Sequence, residues 1–176
     1  NRLVYHVGGC NMQCAWCSNP EGMKISDNMK NVSVLQIISE AKSCKPIFFG
    51  GGGVTFTGGE CTVEIDELKC ALHGLKEQKI HTAVETNGTS KRLPEILEYI
   101  DYLIIDFKHI NDDVLKKYTG LDGNIIRKNY KYISEKKRQC HVRIPIINEF
   151  NGKCYKDFAE YLAGISNENM VFELLR

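Results

Sequence analysis

Six short β-prone runs, separated by stretches of helical periodicity, constrain this chain more than any other feature. The runs are Leu3–Val7, Val54–Thr57, Ile80–Glu85, Tyr102–Phe107, His141–Ile147 and Met170–Leu174. They are rich in aliphatic, aromatic and β-branched residues, and Tyr102–Phe107 has the apolar continuity of a buried parallel strand. Between them lie Val32–Cys44, with Val34, Ile37, Ile38 and Ala41 at helical spacing, and Val63–Glu77, with Ile65, Leu68, Leu72 and Leu75 on one face. Pro94–Ile100 reads as a short helix with Pro94 in its first turn. Asp112–Tyr118, Asn124–Lys137 and Tyr155–Leu162 read as helices as well. Such alternation implies parallel strands joined by right-handed crossovers. Six units cannot close an eight-stranded barrel. The expectation is therefore an α/β fold, an open partial (β/α)6 barrel of parallel strands, as a single domain over residues 1–176. Chemistry in such sheets sits at the C-terminal ends of the strands.

The first strand end carries the strongest chemical signal. After Gly8-Gly9 comes Cys10-Asn11-Met12-Gln13-Cys14-Ala15-Trp16-Cys17, a C-x3-C-x2-C pattern. Cysteine thiolates hold iron–sulfur clusters, usually in fours. Three would hold a [4Fe–4S] cube by three irons and leave one corner open, the mark of a site that binds and changes a substrate. The methionine end of S-adenosylmethionine can fill such a corner. With His6 the same thiols can form a Cys3His zinc site, but C-x3-C is not the usual knuckle spacing, and His6 falls mid-strand where ordinary packing is its expected role. Cys44, Cys61, Cys70, Cys140 and Cys154 are scattered without a C-x2-C pair and read as isolated thiols in or near the core.

Composition sets outer limits. At 176 residues, with 43% hydrophobic and 26% charged residues, the chain has enough material for one full core. A net charge of +1 gives no electrostatic case for nucleic acid or an anionic membrane. No apolar run approaches membrane length and no secretory signal is visible, so the eight cysteines point to metal or redox chemistry in a reducing compartment. The expectation is a cytoplasmic monomer.

Gly9-Cys10-Asn11-Met12-Gln13-Cys14-Ala15-Trp16-Cys17-Ser18-Asn19-Pro20-Glu21 resembles the cluster loop of the radical S-adenosylmethionine (SAM) enzymes, and Ser18-Asn19-Pro20-Glu21 is similar to one branch, the activating enzymes of glycyl radical enzymes. Tyr118-Thr119-Gly120-Leu121 and Arg143-Ile144-Pro145 with Asn148 resemble the same branch, so the likeness runs from Gly9 to Leu175. It implies a [4Fe–4S] cluster on Cys10, Cys14 and Cys17. It also implies that Gly58-Gly59-Glu60, after the second strand, holds the cofactor's amino group, with Cys61 where the family often has Pro. Glu85, in Glu85-Thr86-Asn87-Gly88, would face the cofactor. Asp106 and Lys108, in Asp106-Phe107-Lys108, would meet the ribose and the methionine carboxylate. Trp16 would pack near the adenine, Ser18 and Phe107 would border the cofactor, and Arg143 would meet a cofactor carboxylate or Glu85. Two carboxylates on adjacent strands, Glu85 and Asp106, also leave room for a monovalent cation. Gly50-Gly51-Gly52-Gly53 reads as a flexible lead-in, since no Lys-Ser/Thr follows it.

The resemblance implies an oxidoreductase in which a reduced cluster splits SAM into methionine and a 5′-deoxyadenosyl radical, which takes a hydrogen from a glycine of a partner enzyme. A flavodoxin or ferredoxin type reductant would supply the electron. Only Cys44 lies between Gly22 and Gly50, so the ferredoxin-like insert of many relatives is missing. The family's later Pro-Tyr-His segment does not follow Glu173-Leu174-Leu175 here. Two other readings stay open: a radical SAM enzyme acting on a small molecule, similar to 7-carboxy-7-deazaguanine synthase, and a non-catalytic zinc-stabilised interaction module.

Overall fold

The computed structural model describes residues 1–175. Six parallel strands lie side by side in chain order: β1 (Arg2–Val7), β2 (Gly53–Gly58), β3 (Thr82–Thr86), β4 (Tyr102–Asp106), β5 (Cys140–Pro145) and β6 (Met170–Leu175). Among the described residues β1 and β6 are the two sheet edges, so the barrel is open as the alternation predicts. The helices between them are α1 (Val34–Cys44), α2 (Ile65–Glu77), α3 (Asp112–Thr119), α4 (Asn124–Glu135) and α5 (Tyr155–Ile165).

Period-two side-chain alternation divides the sheet into two faces. Phe56, Val84, Leu103, Ile105 and Val142 are buried in the apolar core that Leu72, Tyr130 and Phe158 of the helices share. The intervening residues, among them Val4, Thr57, Glu85 and Arg143, line a cavity of about 610 Å³. His6 belongs to this second face and is exposed there, which corrects its expected packing role. A β1 residue one position from the strand end is covered only if the barrel continues over it, and the open edge does not do so.

Local signals account for the helix ends. Ser33 caps α1 through a reciprocal capping box with Gln36. Asn111 caps α3 by accepting from Val114 N–H at 3.0 Å. Two expectations change. Pro94–Ile100 is not an α-helix but two 3-10 turns, Leu93–Glu95 and Leu97–Tyr99, because the stretch is too short to repeat i→i+4 bonds after Pro94 and closes with i→i+3 bonds instead. The lead-in to β2 is not slack either. A Cβ on Gly53 would sit 2.0 Å from the His81 carbonyl oxygen, so the glycine is there for a close backbone approach. No helix is long and apolar enough to cross a membrane among the described residues.

Candidate active site

The loop after β1 is held by backbone bonds from both sides. Gly9 and Cys10 donate to the carbonyls of Gly22 and Met23 at 2.9 and 3.0 Å. Gln13 and Ala15 donate to the carbonyls of Thr119 and Tyr118 at 2.8 and 3.1 Å. Those acceptors are the last carbonyls of α3, which the helix itself leaves without partners. Met12 is buried to 1% exposure and pins the loop to the core. The three thiols therefore sit on a short, fixed segment, each half-buried and free. Burial pushes the Cys10 and Cys14 thiols up, and the Lys108 ammonium pulls both down. The thiols of Cys10 and Cys17 also act on that of Cys14, which places the three in one electrostatic neighbourhood.

The second loop packs on the first. Gly58 has φ +116, and a Cβ on Gly59 would meet the carbonyl oxygens of Gly9 and Gly22 at 2.2 and 2.4 Å. The glycines thus let the cluster loop and the β2 loop touch. Gly59 N–H donates to the Val7 carbonyl at 2.7 Å and Glu60 N–H to that of Gly9 at 2.8 Å, which leaves carbonyls to meet an ammonium group. The Glu60 side chain has a separate part. Its carboxylate is turned inward, 2% exposed, and accepts from Thr62 N–H and Oγ1, Thr86 Oγ1 and Asn87 N–H at 2.6–3.0 Å. Held by these neutral donors, the side chain ties the second loop to the third, and the expected contact with an ammonium group is one of backbone carbonyls. Asn87 in turn donates to Asn11 Oδ1 at 2.9 Å, joining the third loop to the cluster loop.

Lys108 Nζ lies 2.6 Å from Asp106 Oδ2, with only 9% of the Lys108 side chain exposed. Burial alone would lower the lysine, but Asp106 and then Cys14 outweigh it, and the group is raised and stays charged. Arg143 Nη1 donates to Glu85 Oε1 at 2.5 Å, and Thr57 Oγ1 donates to Glu85 Oε2 at 3.3 Å. Each carboxylate thus has a protein cation beside it. Phe107 departs from its expected role. Its ring is 3% exposed and packs on Tyr130, Phe158 and Tyr161 at 5.8, 5.1 and 5.5 Å, on the helix side of the sheet. Strand alternation forces this: with Asp106 facing the cavity, its neighbour faces away. Trp16 is half-buried, with its ring 4.2 Å from that of Phe150, so packing beneath the loop engages part of it. Ser18 is exposed beside Cys17.

Cys10, Cys14, Cys17, Lys108, Asp106, Glu85 and Arg143 are thus brought to one end of the sheet; Phe107 lies at that end too, but its ring is on the helix side. Sequence reasoning missed Met12, Asn11 and Thr86, whose signal is their place within loops already singled out. The donor set fits an iron–sulfur cube held by one thiolate per iron. Among the described residues no three His, Cys, Asp or Glu side chains meet closely enough for a single metal ion, so the zinc reading finds no ready site.

Residues 4–162 match the profile of the radical SAM superfamily. The chain is 30% identical to the pyruvate formate-lyase-activating enzyme of Staphylococcus epidermidis, covering 99% of this chain and 73% of that protein, and 29% identical to its Staphylococcus aureus counterpart over the same shares. Among solved structures, a domain of pyruvate-formate lyase-activating enzyme from Bacteroides vulgatus is 32% identical over 64% of this chain and 73% of its own, with a TM-score of 0.58. Streptococcus suis SuiB bound to S-adenosylmethionine shares the fold over 99% of this chain, with a TM-score of 0.75 at 16% identity, although the chain spans only 40% of SuiB. A sheet open at both edges, with a three-thiol loop at its C-terminal rim, and a profile match across nearly its whole length lead to one assignment: this chain belongs to the radical SAM superfamily, whose enzymes use a [4Fe–4S] cluster and SAM.

Proposed function

We propose that the chain activates a glycyl radical enzyme by taking a hydrogen atom from a backbone glycine of that partner. The observation that carries this reading is 30% identity to a pyruvate formate-lyase-activating enzyme over 99% of the chain, with Ser18-Asn19-Pro20-Glu21 beside the third cysteine. When bound, the cluster and SAM supply the electron transfer and carbon-centred radical that such a reaction needs. The chain's own residues bind and orient. Cys10, Cys14 and Cys17 hold the cluster, and the Gly58 and Gly59 carbonyls accept from the methionine ammonium. Lys108 and Arg143 take its carboxylate, Asp106 a ribose hydroxyl, and Glu85 sets Arg143. Ser18 and the free part of Trp16 border the adenine side. The partner's glycine segment enters from the open side of the sheet, and a flavodoxin or ferredoxin type protein reduces the cluster in an anaerobic cytoplasm.

The test is anaerobic reconstitution with iron and sulfide, then incubation with reductant, SAM and a candidate partner. The expected result is methionine and 5′-deoxyadenosine in step with a glycyl radical signal by electron paramagnetic resonance. A protein that binds iron and splits SAM yet marks no glycine on any such partner would sink the activase assignment while leaving the family intact. The cavity of about 610 Å³, lined in part by His6, His81 and Tyr102, keeps a small-molecule substrate as the second reading. A product derived from a small molecule, formed without a partner protein, would select it.

A further inference from the structure

The cavity face carries three side chains that the proposed function leaves without a role, Glu173, His141 and Tyr102, and all three lead to Arg143. Arg143 on β5 is paired in register with Glu173 on β6 on one side and with Asp106 on β4 on the other. Its Nη1 reaches across β4 to Glu85, and its Nε lies 3.5 Å from Glu173 Oε2. The same Glu173 oxygen lies 3.1 Å from His141 Nε2, and His141 Nδ1 lies 2.8 Å from the Tyr102 hydroxyl. When the hydroxyl is the donor to Nδ1, the ring hydrogen sits on Nε2, toward Glu173. Arg143 Nε and His141 Nε2 are both buried without an aligned hydrogen bond, so their contacts with Glu173 are ionic and polar proximity, not formed bonds. One carboxylate is the nearest acceptor for two orphaned donors.

We infer that Glu173 is a positioning residue for Arg143. An arginine on an open cavity face has many rotamers, and ordering its side chain costs conformational entropy. Glu85 and Glu173 hold it from opposite sides, and Tyr102 holds His141 so that His141 holds Glu173. Nη1 and Nε are the atoms that meet Glu85 and Glu173, and Nη2 is the one left for the cofactor's carboxylate. This inference rests on Arg143 binding the cofactor, so the test includes Arg143 itself.

The measurements are SAM affinity by anaerobic calorimetry, KM and kcat for SAM cleavage, iron content, and the change in the reduced cluster's paramagnetic spectrum on adding SAM. Glu173→Gln should weaken SAM binding roughly tenfold and raise KM in parallel, with kcat within about twofold and iron unchanged. Tyr102→Phe should shift affinity in the same direction by roughly threefold. Arg143→Lys should weaken binding at least as much as Glu173→Gln, and the double variant should be no worse than Arg143→Lys alone, because Glu173 acts through Arg143. If Arg143→Lys weakens binding and Glu173→Gln does not, or if the two losses simply add, the inference falls and Arg143 keeps its role. If Arg143→Lys changes nothing, both fall. Should Glu173→Gln lose iron or fail to fold, Tyr102→Phe decides by the same measures, since it removes one hydroxyl.

Discussion

Glu60 places a carboxyl group where 2% of it meets solvent, and among the described residues no salt bridge reaches it. Isolated buried carboxylates are costly, and this one is held by four neutral donors from Thr62, Thr86 and Asn87. Three converge on Oε1 and one, the Asn87 N–H, points at Oε2 at 2.7 Å. Glu60→Gln keeps the shape but cannot satisfy both oxygens' donors. If its amide oxygen stays with the two threonines, its NH2 faces the Asn87 N–H, donor against donor. The expected loss is about 2–3 kcal/mol of unfolding free energy, the range for a broken bond to a charged group plus an unsatisfied buried donor. Chemical denaturation of the iron-free protein reads this directly. A loss below roughly 0.5 kcal/mol, the ordinary scatter of surface substitutions, would mean that the carboxylate is not the joint between these loops.

At the scale of elements, α3 and the cluster loop are one construction. The helix ends at Gly120, in the left-handed region at φ +86, and its Tyr118 and Thr119 carbonyls then receive the Ala15 and Gln13 N–H groups. Gly120→Ala meets no atom within 4 Å, so its effect is backbone strain alone. That strain is about 1–2 kcal/mol, and in a domain of this size it should lower Tm by roughly 2–8 °C. Gly50→Ala carries the same strain, at φ +61 with nothing within 4 Å, but at the opposite end of the sheet. Both variants should lose similar stability, and only Gly120→Ala should also bind less iron on reconstitution. Equal iron content would show that the end of α3 does not set the loop. The strand and helix order was legible in the residues because side-chain periods of 2 and 3.6 are local. So was the cysteine loop, which lies within eight residues. Glu60 was not legible, since its acceptor role depends on Thr86, 26 residues on. Nor was Phe107, where the strand's pleat decides which neighbour of Asp106 faces the cavity.

Among the described residues the sheet stays open at both edges, and the proposed function depends on what that opening admits. The cluster loop, Lys108 and Arg143 occupy the rim where the strands end, while Val4 and Thr55 lie further down the same face toward the strand starts. Val4 is 44% exposed in the middle of β1, with cavity on its open side. A hydrogen donor that enters the cavity must pass or lie beside it, whereas SAM bound at the rim does not. Val4→Trp therefore separates the two events. The added ring occupies space already open, so the core beneath β1 is untouched and the cost to stability should stay within about 1 kcal/mol. SAM affinity and reductant-driven cleavage should remain within roughly twofold of the parent, while radical formation on a partner glycine should fall by about tenfold or more. Spectra of the partner after a fixed time, set against 5′-deoxyadenosine released, measure both in one sample. Equal losses of cleavage and radical yield would mean that the cofactor itself extends down to Val4. An unchanged radical yield would mean that the glycine approaches over the rim, and that the open side of the sheet is not its route.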